Sequence, residues 1–201
     1  LADPFVVGAS SGASLGATLA IILGLNWHFA GFGPVPLAAL IGALLAVFTV
    51  YNIAELGGNA PAISLLLAGA ALSTLLSALV SLLMLMSDDT LHQVFSWTLG
   101  GLSGRSWPHL VSSAPSLIIG LGALFLMTRP LDALASGDEV AQSLGLPLRQ
   151  ARGLIVAAAS LTPAAAVAAG GVIGFVGLIA PHVARLLFGS PHRRVVPGSI
   201  L

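Results

Sequence analysis

An all-α membrane protein, built as a transmembrane helix bundle, is the fold class that three observations on this sequence predict. Only 7% of its 201 residues are charged and 57% are hydrophobic, whereas a soluble domain carries roughly 25% charged residues. Such a chain cannot cover its own surface with water-facing side chains. Its mean hydropathy is +1.03. The charges it has are clustered, which leaves uncharged runs of about 20 residues, enough to cross a hydrocarbon core of about 30 Å. The same composition narrows the function. All seven basic residues are Arg, the net charge is zero, and there is no basic run, so nucleic acid is a poor candidate partner and none is expected. With no Cys, there are no disulfides, thiolate metal sites or Cys nucleophiles.

The elements follow in order. Residues 8–30 carry no charge, and Gly8, Gly12 and Gly16 recur every fourth residue. That spacing sets three glycines near one helix face, where a neighbouring backbone can approach closely; a span is expected over 10–28. "GFGPVP" (31–36) is a turn, and Pro36 suits a helix start, giving a span over 35–52. "NIAELGGNAP" (52–61) reads as a loop. A long uncharged span follows over 62–86. The connector 87–109 holds a short helix at 93–100, and Trp97 and Trp107 suit a membrane interface. A fourth span covers 110–128. Residues 153–184 are again uncharged, yet one straight helix that long would reach roughly 48 Å. Gly170-Gly171 breaks it into a span over 153–169 and a helix over 172–188. No cleavable signal peptide is visible, since Leu1 opens directly on "ADPF" without a basic n-region, and "VVPGSIL" reads as the start of another apolar run; the chain is expected to be a piece of a longer protein, with spans missing at both ends. The arginines form two clusters, one between 129 and 152 and one between 185 and 194. They face opposite compartments if 172–188 stays on the far side, and share one if it crosses; charge alone leaves both open.

Between these spans lies a polar island, "SGDEVAQSLGLPLRQAR" (136–152). Six of the fourteen charges fall between Arg129 and Arg152, although a connector needs only a few residues. Ser136 and Glu139 are spaced as a capping box. Asp138 and Glu139 complement a helix N-terminus. Gly145 is a helix stop and Pro147 a helix start. Two short helices in an L-shape are expected, the first over 137–144.

"EVAQSLG" (139–145) is similar to the E-A-A-x-x-x-G segment through which permease subunits of bacterial ABC importers dock on their ATPases. With "ADPFVVGASSGASLGA" (2–17), "WTLGGLSGRSW" (97–107) and "GGVIGFVGLIAPHVARLLFG" (170–189), the chain resembles the FecCD-type permeases, which take up iron–siderophores, haem or cobalamin. The resemblance implies a permease subunit in the bacterial inner (plasma) membrane. It would work as a homodimer, or with a close paralogue, between cytoplasmic ATPase subunits and a periplasmic binding protein. ATP would be used by the partner, and no cofactor or metal would be bound directly. It implies that the island is a cytoplasmic two-helix coupling segment, with Ser136, Asp138, Glu139, Ala141, Leu144, Gly145, Leu146 and Pro147 as coupling residues. It implies a gate formed by Ser10, Ser11, Gly12, Ala13 and Ser14 with Asn59, Ala60, Pro61, Ala62 and Ser64, a pathway lined by the span 62–86, and a non-crossing periplasmic helix at 172–188. Arg105 is a secondary candidate for the contact with the binding protein.

Other readings carry less. "GASSG" (8–12) matches a nucleophile elbow, but that motif needs a strand before it and a soluble sheet around it; here a membrane helix follows. His182 and His192, with Arg185, read as interfacial residues near a helix end rather than as metal or haem ligands. An ion-coupled secondary transporter would place Asp, Glu, His or Arg inside its spans. The stretches 8–27, 35–51, 62–86, 110–128 and 153–169 contain none, which favours an external energy source. A non-catalytic structural membrane subunit is the remaining alternative.

Overall fold

The computed structural model describes residues 8–27, 33–56, 62–101, 107–174, 176–189 and 192–199. Among the described residues, ten α-helices run in the order α1 (Ala9–Ile22), α2 (Pro34–Leu56), α3 (Ala62–Leu85), α4 (Leu91–Leu99), α5 (Trp107–Leu126), α6 (Thr128–Ala135), α7 (Asp138–Ser143), α8 (Leu148–Gly170), α9 (Val176–Phe188) and α10 (His192–Gly198), with a 3-10 turn at Asp88–Thr90 before α4. The described residues form no strand. Three helical segments, Pro34–Leu56, Ile63–Leu85 and Gln150–Gly170, are long and apolar enough to cross a membrane. The pair Ser113–Leu126 and Thr128–Ala135, bent by 49°, is a fourth if taken together.

The core is made of small residues. Ala9, Ala13 and Ala17 of α1, Ala39, Ala43 and Val47 of α2, and Ala164, Val167 and Ala168 of α8 are all buried in one cluster. Glycine sets how close the backbones come. A methyl group added at Gly12 would lie 2.5 Å from the Ala46 Cβ and overlap the Gly42 carbonyl oxygen, and one at Gly16 would lie 2.8 Å from the Ala38 carbonyl carbon. In lipid the solvent gives no hydrophobic drive between helices, so such close van der Waals packing has to supply the association. The face formed by Gly8, Gly12 and Gly16 is therefore the α1–α2 seam. By contrast, α3 leaves Ile63, Leu67, Leu75, Leu82 and Leu85 more than half exposed.

Several boundaries differ from those the sequence suggests. α1 stops at Ile22 because Gly24 takes φ 61°. There the Leu25 N–H bonds to Ala20 O at 3.2 Å and the Gly24 N–H to Ile21 O at 3.0 Å, the paired bonds of a glycine-terminated helix. α8 begins at Leu148, directly after Pro147, so the expected second short helix is the first turn of this long one. Pro115, Pro163 and Pro181 lie inside α5, α8 and α9; such breaks are tolerated where neighbouring groups re-satisfy the backbone.

The path after α8 corrects the sequence reading of 172–188. At the end of α8, the Gly101 N–H bonds to Gly170 O at 2.7 Å, and a methyl group on Gly100 would lie 2.5 Å from the Val172 carbonyl oxygen. That end adjoins α4. Twenty residues later His192 bonds to Asp132 of α6, at the opposite end of α5 and α8. The chain therefore runs back along the bundle through α9, which does not stay on the α4 side. Both arginine clusters consequently share one end of the bundle.

Candidate functional site

The island folds as a braced elbow of α6, α7 and the first turns of α8. α6 opens with Thr128, Arg129 and Pro130, where proline is tolerated because the first-turn N–H groups have no partner inside the helix. It ends at Ser136, whose N–H bonds to Ala133 O at 3.1 Å and whose hydroxyl donates to Asp132 O at 3.2 Å. The expected capping box is thus absent. Ser136 closes α6, and the residue preceding α7 is Gly137 at φ 109° with no side-chain cap. α7 is a single acidic-headed turn and a half. It stops at Gly145 (φ 79°), where the Gly145 N–H bonds to Gln142 O at 2.8 Å and the Leu146 N–H to Ala141 O at 3.0 Å. This gives two positions of the E-A-A-x-x-x-G pattern a local reason. Gly145 adopts a conformation that costs other residues roughly 1–2 kcal/mol, and Ala141 is fully buried (0% exposed), leaving no room for a larger side chain.

One ion pair and one carboxylate–histidine contact hold the elbow from behind. Arg152 Nη2 donates to both carboxylate oxygens of Asp138, at 2.8 and 2.6 Å, tying α7 to α8. His192 lies with Nδ1 2.5 Å from Asp132 Oδ1, and its backbone N–H donates to the same oxygen at 3.1 Å, tying α6 to α10. The hydrogen bond from the His192 side chain holds the Asp132 carboxyl below its ordinary value. A depressed carboxylate contributes stability above the ordinary carboxylate pKa and loses it as pH falls through the lowered value. The Asp132 carboxylate of this tie is therefore ionised at neutral pH. What faces outward is Asp138, Glu139, Val140, Leu144, Gly145 and Pro147, all exposed, with Leu146 half-buried. A small acidic and apolar knob on a fixed mount suits contact with another protein rather than catalysis. Gly145→Val is expected to loosen the mount by about 1–2 kcal/mol; faster trypsin cleavage within the elbow, with unchanged cleavage elsewhere, is the check.

The expected gate residues fall in two places. Ser10, Ser11, Gly12, Ala13 and Ser14 are all buried in the first turns of α1, with the Ser11 hydroxyl donating to Gly8 O at 3.0 Å. A methyl group on Gly8 would face Val50 and Ser73 at 3.5 and 3.7 Å. Ser64 lies in the first turn of α3, nine residues before Ser73, or roughly 14 Å along the helix, so one copy of the chain sets the two segments at different levels. Asn59, Ala60, Pro61 and Arg105 lie outside the described residues, as does the side chain of Ala62. Among the described residues no group of three His, Asp or Glu side chains could hold a metal ion. Sequence reasoning did not assign Asp132, Arg152, Arg185 and His192 to the elbow; it read His192 and Arg185 only as interfacial residues near a helix end. Asp132 and His192 are 60 positions apart, and no local pattern links them.

A bundle of small-residue helices carrying an acidic elbow defines an α-helical membrane protein. The comparisons name the class. Residues 1–201 match the FecCD transport family, and the chain belongs to that family, one of transport permeases rather than enzymes. It is 41% identical over 201 residues, all of this chain and 53% of the relative, to the cobalamin import system permease protein of Halobacterium salinarum. It is 38% identical over 214 residues, covering 100% of this chain and 60% of the relative, to the hemin transport system permease protein of Yersinia pestis. A solved structure of an ABC transporter of the metal-chelate type, in an inward-facing conformation, superposes with a TM-score of 0.84 at 29% identity, covering 100% of this chain and 63% of that one. The chain thus spans just over half to three fifths of the length of the curated relatives named here.

Proposed function

We propose that this chain is part of the permease subunit of an ABC importer that moves an iron chelate (siderophore or haem) or cobalamin across the inner (plasma) membrane. A partner ATPase would push on the elbow, a second permease copy or close paralogue would complete the pathway, and a periplasmic binding protein would deliver the cargo. The observation that carries this reading is the elbow itself: an exposed knob that includes Glu139 and Leu144, mounted by Asp138–Arg152 on the long helix α8 and by Asp132–His192 on α10. Six of the seven arginines, at positions 129, 149, 152, 185, 193 and 194, lie at that end of the bundle. The excess of positive charge on cytoplasmic loops supports placing the elbow on the side where ATP is found. The coupling role belongs to Ser136, Asp138, Glu139, Ala141, Leu144, Gly145, Leu146 and Pro147. The buried start of α1 and the first turn of α3 are the gate.

Helices α1, α3 and α5 contain no Asp, Glu, Lys or Arg, which supports an energy source outside the spans, since a buried charge costs roughly 2.5–3.5 kcal/mol to insert. In vesicles holding the full-length permease with its ATPase, uptake of ferric hydroxamate, haemin or cyanocobalamin is expected to need ATP on the elbow side. It is expected to persist when the proton gradient is collapsed. Uptake that continues without ATP and stops with the gradient would instead identify a secondary carrier.

A further inference from the structure

We propose that the Asp132–His192 tie makes α9 and α10 part of the coupling element, so that α6, α7, α9 and α10 move as one body when the elbow is displaced. The inference rests on the reading of the elbow as the ATPase contact. Three observations carry it. First, the contact is double: a single carboxylate oxygen, Asp132 Oδ1, lies 2.5 Å from His192 Nδ1 and accepts from the His192 backbone N–H at 3.1 Å. Two bonds from one residue fix a direction as well as a distance. Second, the imidazole is held from its other side. A carboxylate only accepts, so Nδ1 carries the proton, and the remaining ring nitrogen, Nε2, lies 3.5 Å from Arg185 Nη2 of α9. The ring therefore bridges α6 and α9 from its seat at the first residue of α10. Third, the histidine side chain is only 12% exposed, while the aspartate beside it is 46% exposed. The imidazole at the centre of the bridge is thus largely shielded from water, while its carboxylate partner is not.

α7 packs on α6, which precedes it directly, and is tied to α8 by the exposed Asp138–Arg152 pair. With the Asp132–His192 bridge, a push on α7 passes through α6 into α10 and α9, which carry the chain back along the bundle. His192 and Asp132 are positioning residues in this account, since neither lies on the outward face of the elbow.

Spin labels at Ser143→Cys on α7 and Leu186→Cys on α9, in the full-length permease with its ATPase in liposomes, measure whether the two helices stay together. The expected result is a single narrow distance that does not change between the nucleotide-free state and the state trapped with ATP, Mg²⁺ and vanadate. His192→Gln, whose amide sits near the Nε2 position and abandons Asp132, is expected to lose that narrow distance in the trapped state. His192→Asn, whose amide nitrogen replaces Nδ1, is expected to restore it. A narrow, nucleotide-independent distance in His192→Gln overturns the proposal, as does equal loss in the Gln and Asn variants. Misfolding of both variants marks the contact as structural and overturns it as well. If the unmodified chain retains a single narrow distance but does not bind the ATPase, the reading of the elbow fails first, and the coupling role fails with it.

Discussion

Gly16→Leu is expected to pull α1 away from α2 and to lower the thermal stability of the protein more than any other single change at the seam. The space does not exist: even the first carbon of a side chain at Gly16 would overlap the Ala38 carbonyl oxygen and lie 2.8 Å from its carbon. Both obstacles are backbone, so no rotamer change relieves them. One turn away Gly12 faces Gly42 just as closely, which prevents the helices from parting locally. Overpacking a core costs about 1–3 kcal/mol, and a backbone obstacle places this substitution at or above the upper end. The thermal unfolding midpoint in detergent is the measurement. Gly122→Ala is the control, because a methyl group there meets nothing within 4 Å and alanine is favoured over glycine inside a helix by about 1 kcal/mol. Equal midpoints for Gly16→Leu and the unmodified chain would mean that the seam is looser than described.

Glu139→Arg is expected to abolish ATP-driven uptake and co-purification with the ATPase while the membrane fold survives. Magnitudes separate the two effects. Glu139 is exposed in the first turn of α7, and placing a cation there disturbs the helix by roughly 0.3–1 kcal/mol. That is too little to unfold a bundle whose core, made by α1, α2 and α8, lies elsewhere. A total loss of uptake would therefore report a broken contact with a partner. Unchanged uptake and co-purification in the full-length protein would remove Glu139, and with it the outward face of α7, from the coupling role.

How legible each feature was depends on the distance over which its cause acts. Gly8, Gly12 and Gly16 announced a close helix contact because helical periodicity is local; their partner Gly42, one glycine in another helix, gave no such signal. Gly145 was readable as a stop because the left-handed backbone it adopts follows from residue type. Ser136 misled, because a hydroxyl three residues before a glutamate can as readily close the preceding helix as open the next, and here α6 extends far enough to claim it. The course of 172–188 was undecidable from charge. It rests on Asp132 and His192, whose pairing is a fact of tertiary packing that neither residue's neighbours encode.

One consequence of α8 being fastened at both extremities concerns timing. Arg152 secures it near the elbow and Gly170 secures it beside Gly101, and its 23 residues measure about 35 Å. Under the proposed coupling role, a rod held at both ends would pass a displacement at the elbow on to the turn at Gly100 and Gly101 on the opposite face. Pro163, the position inside α8 where the ladder lacks a donor, is the point at which the rod would yield if the two faces were ever forced apart in time.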